Sequence, residues 1–376
     1  MIPSLSPPSN RIAALDSVRG IAALIVVFWH CFNWMSEAAH MQMGWLVLTP
    51  LRILINGEGA VVIFFVLSGF VLALPYFRVP SPDYRRFMLK RFCRIGIPYY
   101  AAVLMALGLY FLLDVSAPHG SGIWVRVPQT NDVLIDATLI LRHIFAFMLG
   151  AGEDTILIGP AWSLIHEMRI SALFPVLVLL MVRPRLGIPV AVGLYGVALW
   201  LTHVYGKFSH FPDAPNDVLS AYLATVYFTP CFMLGILLAA RRERIVAYLT
   251  RLPDFITMLL WFLILGVFCY YDAYKIRQPL VMGASALLIM LAQSTGLAVK
   301  ILNWSVLRWL GRISYSLYLV HVPLIYFMSQ QWGGDFPPYV DVVGIVITAL
   351  LVATLMQRYI EVPAIALGTR LARRLG

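Results

Sequence analysis

The feature that most constrains this chain is a succession of apolar runs, most of them about as long as a bilayer is thick. They lie near 18–34, 59–77, 96–113, 163–182, 187–203, 219–240, 255–271, 279–299, 310–329 and 340–358. A hydrocarbon core of about 30 Å takes about 20 apolar residues as helix, so these runs account for most of the chain. Of 376 residues, 61% are hydrophobic and only 12% charged, which excludes a water-soluble globule and leaves no room for a large soluble domain. A membrane β-barrel would alternate polar and apolar residues in short strands, and these runs do not. The expected fold is all-α: a polytopic transmembrane bundle of roughly ten spans, forming one domain over residues 1–376.

The basic residues set the threading. Arg78, Arg85, Arg86, Lys90, Arg91 and Arg94 crowd one early loop, and further clusters follow at Arg183 and Arg185, at Arg241, Arg242, Arg244 and Arg251, and at Arg370, Arg373 and Arg374. Cytoplasmic loops collect Lys and Arg, and all four clusters fall inside only if the N- and C-termini are cytoplasmic. The span at 96–113 then runs outward and that at 163–182 returns. Residues 114–162 are therefore expected to form an outer loop, with the polar-interrupted stretch 131–150 as a non-spanning or re-entrant helix.

This threading absorbs most of the formal charge of +10, so no nucleic-acid partner is expected. The N-terminal stretch lacks a charged region ahead of its apolar run, and the first span is expected to serve as an uncleaved anchor. Cys31, Cys93, Cys231 and Cys269 are scattered, which suggests packing residues, with neither a disulfide framework nor a metal site.

Ionisable residues inside spans are costly and point to function. Arg19 stands at the inner end of the first span and His30 eleven residues on, about 16 Å along a helix. In the fourth run, PAWSLIHEMRI carries Glu167, expected at a depth comparable to His30. A carboxylate beside an imidazole fixes its tautomer and raises its basicity, as a general base requires. An ion pair of Glu167 with Arg169 or Arg142 is the structural alternative. Ser163, His166 and Glu167 share one helical turn, a spacing that does not converge on one atom as a catalytic triad must.

Arg91 and Arg94 sit three apart on one face, a geometry that suits phosphate oxygens as well as membrane anchoring. Ser314, Tyr318 and His321 form one polar stripe in an apolar span, which places them toward protein or a cavity. Ser68 and Gly69 read as a close helix contact, and Glu361 as a partner for basic residues at the cytoplasmic rim.

In order along the chain, Arg19 with His30, FFVLSGFVL at 64–72, RFCRIGIPYY at 91–100, PAWSLIHE at 160–167, ISYSLYLVHVP at 313–323 and EVP at 361–363 resemble acyltransferase family 3. These are integral membrane O-acyltransferases of bacterial surface polysaccharides, nodulation signals and some secondary metabolites. The resemblance implies a ten-helix domain in the bacterial cytoplasmic (inner) membrane that moves an acyl group, most often acetyl, from cytoplasmic acyl-CoA to a hydroxyl of an extracytoplasmic glycan or lipid-linked saccharide. It implies His30 as the catalytic histidine with Arg19 as its motif partner, Arg91 and Arg94 at the acyl-CoA site, and Glu167 as the family's acidic residue. Tyr318, His321 and Ser314 are then candidates for substrate or oxyanion contacts. The chain departs from the family pattern after Glu167, where Met168, Arg169 and Ile170 replace Glu-x-x-Phe-Tyr continuations.

The expected partners are acyl-CoA, a carbohydrate acceptor, membrane lipids and a separate protein for any onward transfer or export of the glycan. Direct attack by the acceptor and an acyl-histidine route both fit these residues. A proton-coupled transporter or flippase using His30 and Glu167 is the reading from a different class; it does not need the cytoplasmic arginine pair.

Overall fold

A computed structural model of the chain describes residues 10–33, 41–78, 83–112, 141, 143–149, 157–205, 218–270, 278–332 and 336–375. Among the described residues there are helices and no strand. The principal helices are α1 (Asn10–Asn33), α2 (Gly57–Arg78), α3 (Tyr84–Leu112), α4 (Ala161–Ala172), α5 (Phe174–Val182), α6 (Pro184–Tyr205) and α7 (Val218–Ala240). They continue with α8 (Arg242–Thr250), α9 (Asp254–Tyr270), α10 (Gln278–Leu291), α11 (Ser305–Trp332), α12 (Pro338–Met356) and α13 (Val362–Arg373).

Every apolar run of the sequence lies on one or more of these helices. Among the described residues six helical stretches are long and apolar enough to cross a membrane unaided, and up to eight if each of two bent pairs is one span. The shortfall against the roughly ten expected has local causes. The run at 163–182 is split into α4 and α5 by a bend of 64°. Pro175 sits in the first turn of α5. Its missing N–H leaves the Ser171 carbonyl without its ladder donor and its ring crowds that turn, which favours a break there. The run at 279–299 stops as helix at Leu291, and Gly296 takes φ +112 before the chain re-enters a single turn at Leu297–Leu302. That leaves 14 residues in α10, about 21 Å of helix. In α11 the polar stripe keeps the mean hydropathy of a long helix down.

Two crossings set the frame. At the first, Gly20 of α1 meets Gly311 of α11 so closely that a Cβ on either would strike the other helix's backbone. At the second, Gly69 of α2 and Gly235 of α7 do the same. Helices approach this closely in membranes through small residues, since lipid offers no hydrophobic drive for association. Around the crossings lies a core of large buried side chains, including Phe70, Tyr99, Phe174, Tyr227, Phe228 and Phe232.

Within 114–162, the described residues include the single turn Ala146–Leu149, which packs against α4. Tyr100 of α3 donates to the Ile144 carbonyl at 2.8 Å. Most of the stretch expected as a non-spanning helix, 131–150, and Arg142 with it, lie outside the described residues.

Candidate active site

The α1–α11 crossing carries the polar residues of both helices into one seam. His30, 8% exposed, and His321, fully buried, meet there. His321 Nε2 is 3.2 Å from His30 Nδ1. His30 Nδ1 also lies 2.9 Å from the Val26 carbonyl, and His321 Nδ1 lies 3.0 Å from the Leu317 carbonyl. A carbonyl can only accept, so both Nδ1 atoms carry protons. Neutral His321 therefore presents Nε2 as an acceptor to the His30 N–H, and His30 keeps the lone pair on Nε2. This hydrogen-bond pattern assigns His30 the tautomer a general base needs.

Beside His30 is a small cavity of about 30 Å³, lined by Trp29, Glu58, Val61, Trp162 and Tyr318 among others. Inward of it lies a cavity of about 80 Å³, whose lining includes Arg19, Arg91, Arg94, Ser68, Glu167 and Ser314. The two share Val61 and Tyr318 as a common wall. Tyr318 Oη is 2.7 Å from Ser163 Oγ and 3.1 Å from the Pro160 carbonyl, so the wall is fixed to the start of α4. Volumes of this order hold a few water molecules or one small acyl group.

Glu167 is placed differently from the expectation. Its carboxylate takes the Arg91 guanidinium and, at 2.8 Å, the Ser68 hydroxyl, not the His30 ring. The reason is depth: along α2, Glu58 flanks His30 while Ser68 is ten residues further in, about 15 Å. Glu167 thus belongs to the arginine level and His30 to the level beyond it. Nor does Glu167 pair with Arg169, whose guanidinium lies 4.2 Å from the Tyr222 ring centre.

Arg91 likewise departs from a freely accessible phosphate ligand. It is 7% exposed, and its Nε donates to Ser171 Oγ at 3.0 Å while Nη2 takes Glu167. Ser171 is held in turn by the Glu167 carbonyl. Arg94 and Arg19 line the inner cavity, with Arg19 4.0 Å from Asp16. Ser314 spends its hydroxyl on the Gly311 carbonyl at 2.8 Å.

Some participants were not legible. Ser68 reads as packing within an apolar run, yet only Gly69 packs. Glu58, just ahead of the apolar run at 59–77, carries no signal in the sequence, but it lines the His30 cavity. Glu361, expected at a basic rim, is buried in a π-turn at Gln357–Glu361 and accepts from Ser316 at 2.7 Å. A π-turn often marks a functional stretch, a signal available only from the backbone. Among the described residues no cluster of His, Cys, Asp or Glu suits a metal ion.

Fold and site define a multi-pass helical membrane protein with a buried histidine beyond an arginine-lined cavity. The chain belongs to acyltransferase family 3, whose profile, described as an acyltransferase domain, matches residues 12–358. It is similar to the putative peptidoglycan O-acetyltransferase YrhL of Bacillus subtilis (strain 168), 24% identical over 96% of this chain and 56% of the relative. It is also similar to the O-acetyltransferase OatA of Staphylococcus aureus (strain NCTC 8325), 23% identical over 94% of this chain and 57% of the relative. Protein 2 in the picA locus of Rhizobium radiobacter is 30% identical over 46% of this chain and 84% of its own length. The chain thus spans a little over half the length of the two named acetyltransferases. No solved structure matches it. Nothing in these similarities supports the transporter reading.

Proposed function

We propose that this chain is a membrane O-acyltransferase, moving an acyl group, acetyl foremost, from cytoplasmic acyl-CoA to a hydroxyl of an extracytoplasmic glycan. The observation that carries the reading is the buried contact of His30 with His321, 3.2 Å between ring nitrogens, beside a cavity that shares the Tyr318 wall with the arginine-lined one. The setting is a bacterial cytoplasmic membrane, with about ten crossings and both termini inside. The name of one relative, a putative peptidoglycan O-acetyltransferase, points to peptidoglycan as the acceptor.

In this scheme the thioester enters from the inner face past Arg19 and Arg94 and brings its carbonyl to the Tyr318 wall. An acceptor hydroxyl reaches His30 from the outer side. His30 Nε2 takes the hydroxyl proton as the oxygen attacks the thioester carbon, and the carbon–sulfur bond then breaks. The proton on His30 passes to the departing thiolate, giving free CoA and the O-acyl ester. The Tyr318 hydroxyl donates to the oxyanion formed between these events by turning its one proton away from the Pro160 carbonyl. Arg91 and Glu167 hold the inner wall in place and do not touch the reacting atoms.

The test is the full chain in lipid nanodiscs with acetyl-CoA and a soluble oligosaccharide of alternating N-acetylglucosamine and N-acetylmuramic acid. Thiol release and ester formation are followed together. Both should occur and both should vanish in His30→Ala. Normal ester formation in that variant would sink the scheme.

A further inference from the structure

The pairing of Arg91 with Glu167 leaves a question of charge. The nucleotide head of an acyl-CoA carries a pyrophosphate and a further phosphate, and the inner cavity of about 80 Å³ is far too small for it. Arg91 is buried and already neutralised. A head group of that size and charge needs an open, basic, partly apolar surface on the same face, within reach of the thioester.

Among the described residues there is a surface that fits. Between the inner ends of α2, α5 and α7 and the start of α8 lies an open groove of about 520 Å³, within the usual range for a small-molecule site. Arg241, Arg242 and Arg244 line it, with Glu243 the opposing charge, and Phe77 and Val182 form apolar surface beside them. Phe77 and Val182 are 41% and 56% exposed, so an adenine ring has flat apolar area to cover. Arg242 Nε donates to Gln293 Oε1 at 2.7 Å, and the buried Gln293 is itself tied to the Ile289 carbonyl at 2.9 Å. A buried amide therefore sets the direction of that guanidinium, unlike a charge that merely decorates a loop.

The groove also opens off the same stretch of helix as the inner cavity. Ser68, Val71 and Leu72 of α2 line that cavity, and Leu74 and Phe77 of the same helix line the groove.

We infer that the groove of Arg241, Arg242 and Arg244 holds the phosphate-bearing nucleotide head of the acyl-CoA donor. The inference rests on the acyl-CoA reading above. The same arginines suit the phosphate of an anionic lipid headgroup, and the experiment separates the two sources.

The full chain is placed in nanodiscs of phosphatidylcholine alone or with phosphatidylglycerol. Thiol release is measured with acetyl-CoA and with S-acetylpantetheine, which has the arm but no phosphates. In Arg241→Gln/Arg244→Gln, KM for acetyl-CoA should rise about tenfold, as expected for losing exposed charge-assisted contacts, with kcat little changed. KM for S-acetylpantetheine should stay where it is in the unaltered protein. That unchanged second donor also shows that the variant is folded, and the single Arg244→Gln variant, at an exposed position, should show the same selectivity in smaller measure.

An unaltered KM for acetyl-CoA, or equal rises for both donors, would overturn the inference while leaving acyl transfer standing. A defect that appears only with phosphatidylglycerol present would overturn it in favour of a lipid headgroup. No thiol release from either donor by the unaltered protein would remove the acyl-CoA reading and the inference together.

Discussion

His321 Nε2 stands 3.2 Å from His30 Nδ1, joining two helices across 291 residues of chain. A histidine thus orients the base where a carboxylate was expected. His321→Ala removes the acceptor and frees the ring to rotate. On the proposed scheme kcat should fall roughly tenfold, the order of one net hydrogen bond, with KM for acetyl-CoA unchanged. His321→Gln, whose amide oxygen can accept the same proton, should recover part of the loss. Equal activity in the Ala and Gln variants would show that His321 only fills space.

Arg91 and Glu167 form a nearly enclosed ion pair backed by Ser68 and Ser171. Removing one partner of such a pair strands the other, a cost of about 3–5 kcal/mol, whereas replacing both with apolar groups is often neutral. Glu167→Leu and Arg91→Leu should each lower the thermal midpoint in detergent strongly, and the double variant should recover most of it. Additive losses would mean that the two residues act independently.

Much of this arrangement was legible in the sequence, and its limits are physical. The long apolar helices appeared as apolar runs because bilayer thickness fixes that signal, while the more polar α8 and α13 did not. Helix ends were harder, because proline has no single meaning in a buried helix. Pro75, Pro98, Pro189, Pro230 and Pro323 all lie inside continuous helices, while Pro175 and Pro253 mark bends. His30, Glu167 and Tyr318 stood out as polar residues in apolar surroundings. Their partners did not, because pairing depends on relative depth, and depth depends on how far α2 and α4 slide past α1.

Tyr318 closes the wall between the two cavities through its hydroxyl, and its ring packs against Phe64 with centroids 5.7 Å apart. Tyr318→Phe keeps the ring and deletes the hydroxyl. Ser163 retains the Pro160 carbonyl as a partner, so stability should change by no more than about 1 kcal/mol. Turnover should nevertheless fall about tenfold if the hydroxyl donates to the oxyanion. Unchanged ester formation with Tyr318→Phe would restrict the residue to packing.

The Gly20–Gly311 crossing brings α1 and α11 into register, and the histidine contact depends on it. A side chain at 311 would meet the backbone of Asp16, which no rotamer can relieve, so Gly311→Val must push the helices apart. Overpacking of this kind costs about 1–3 kcal/mol, and more where backbone is struck. The shift is also transmitted to His30 and His321, ten residues further along α1 and α11. Gly193 of α6 is the matched control, with open space where its Cβ would fall. Gly193→Ala should therefore leave stability unchanged or raise it by up to about 1 kcal/mol through helix propensity. Gly311→Val should lower both the thermal midpoint and thiol release, with the loss of activity exceeding that of His321→Ala. Activity in Gly311→Val equal to the unaltered protein would show that the seam tolerates separation and that the two histidines need not touch.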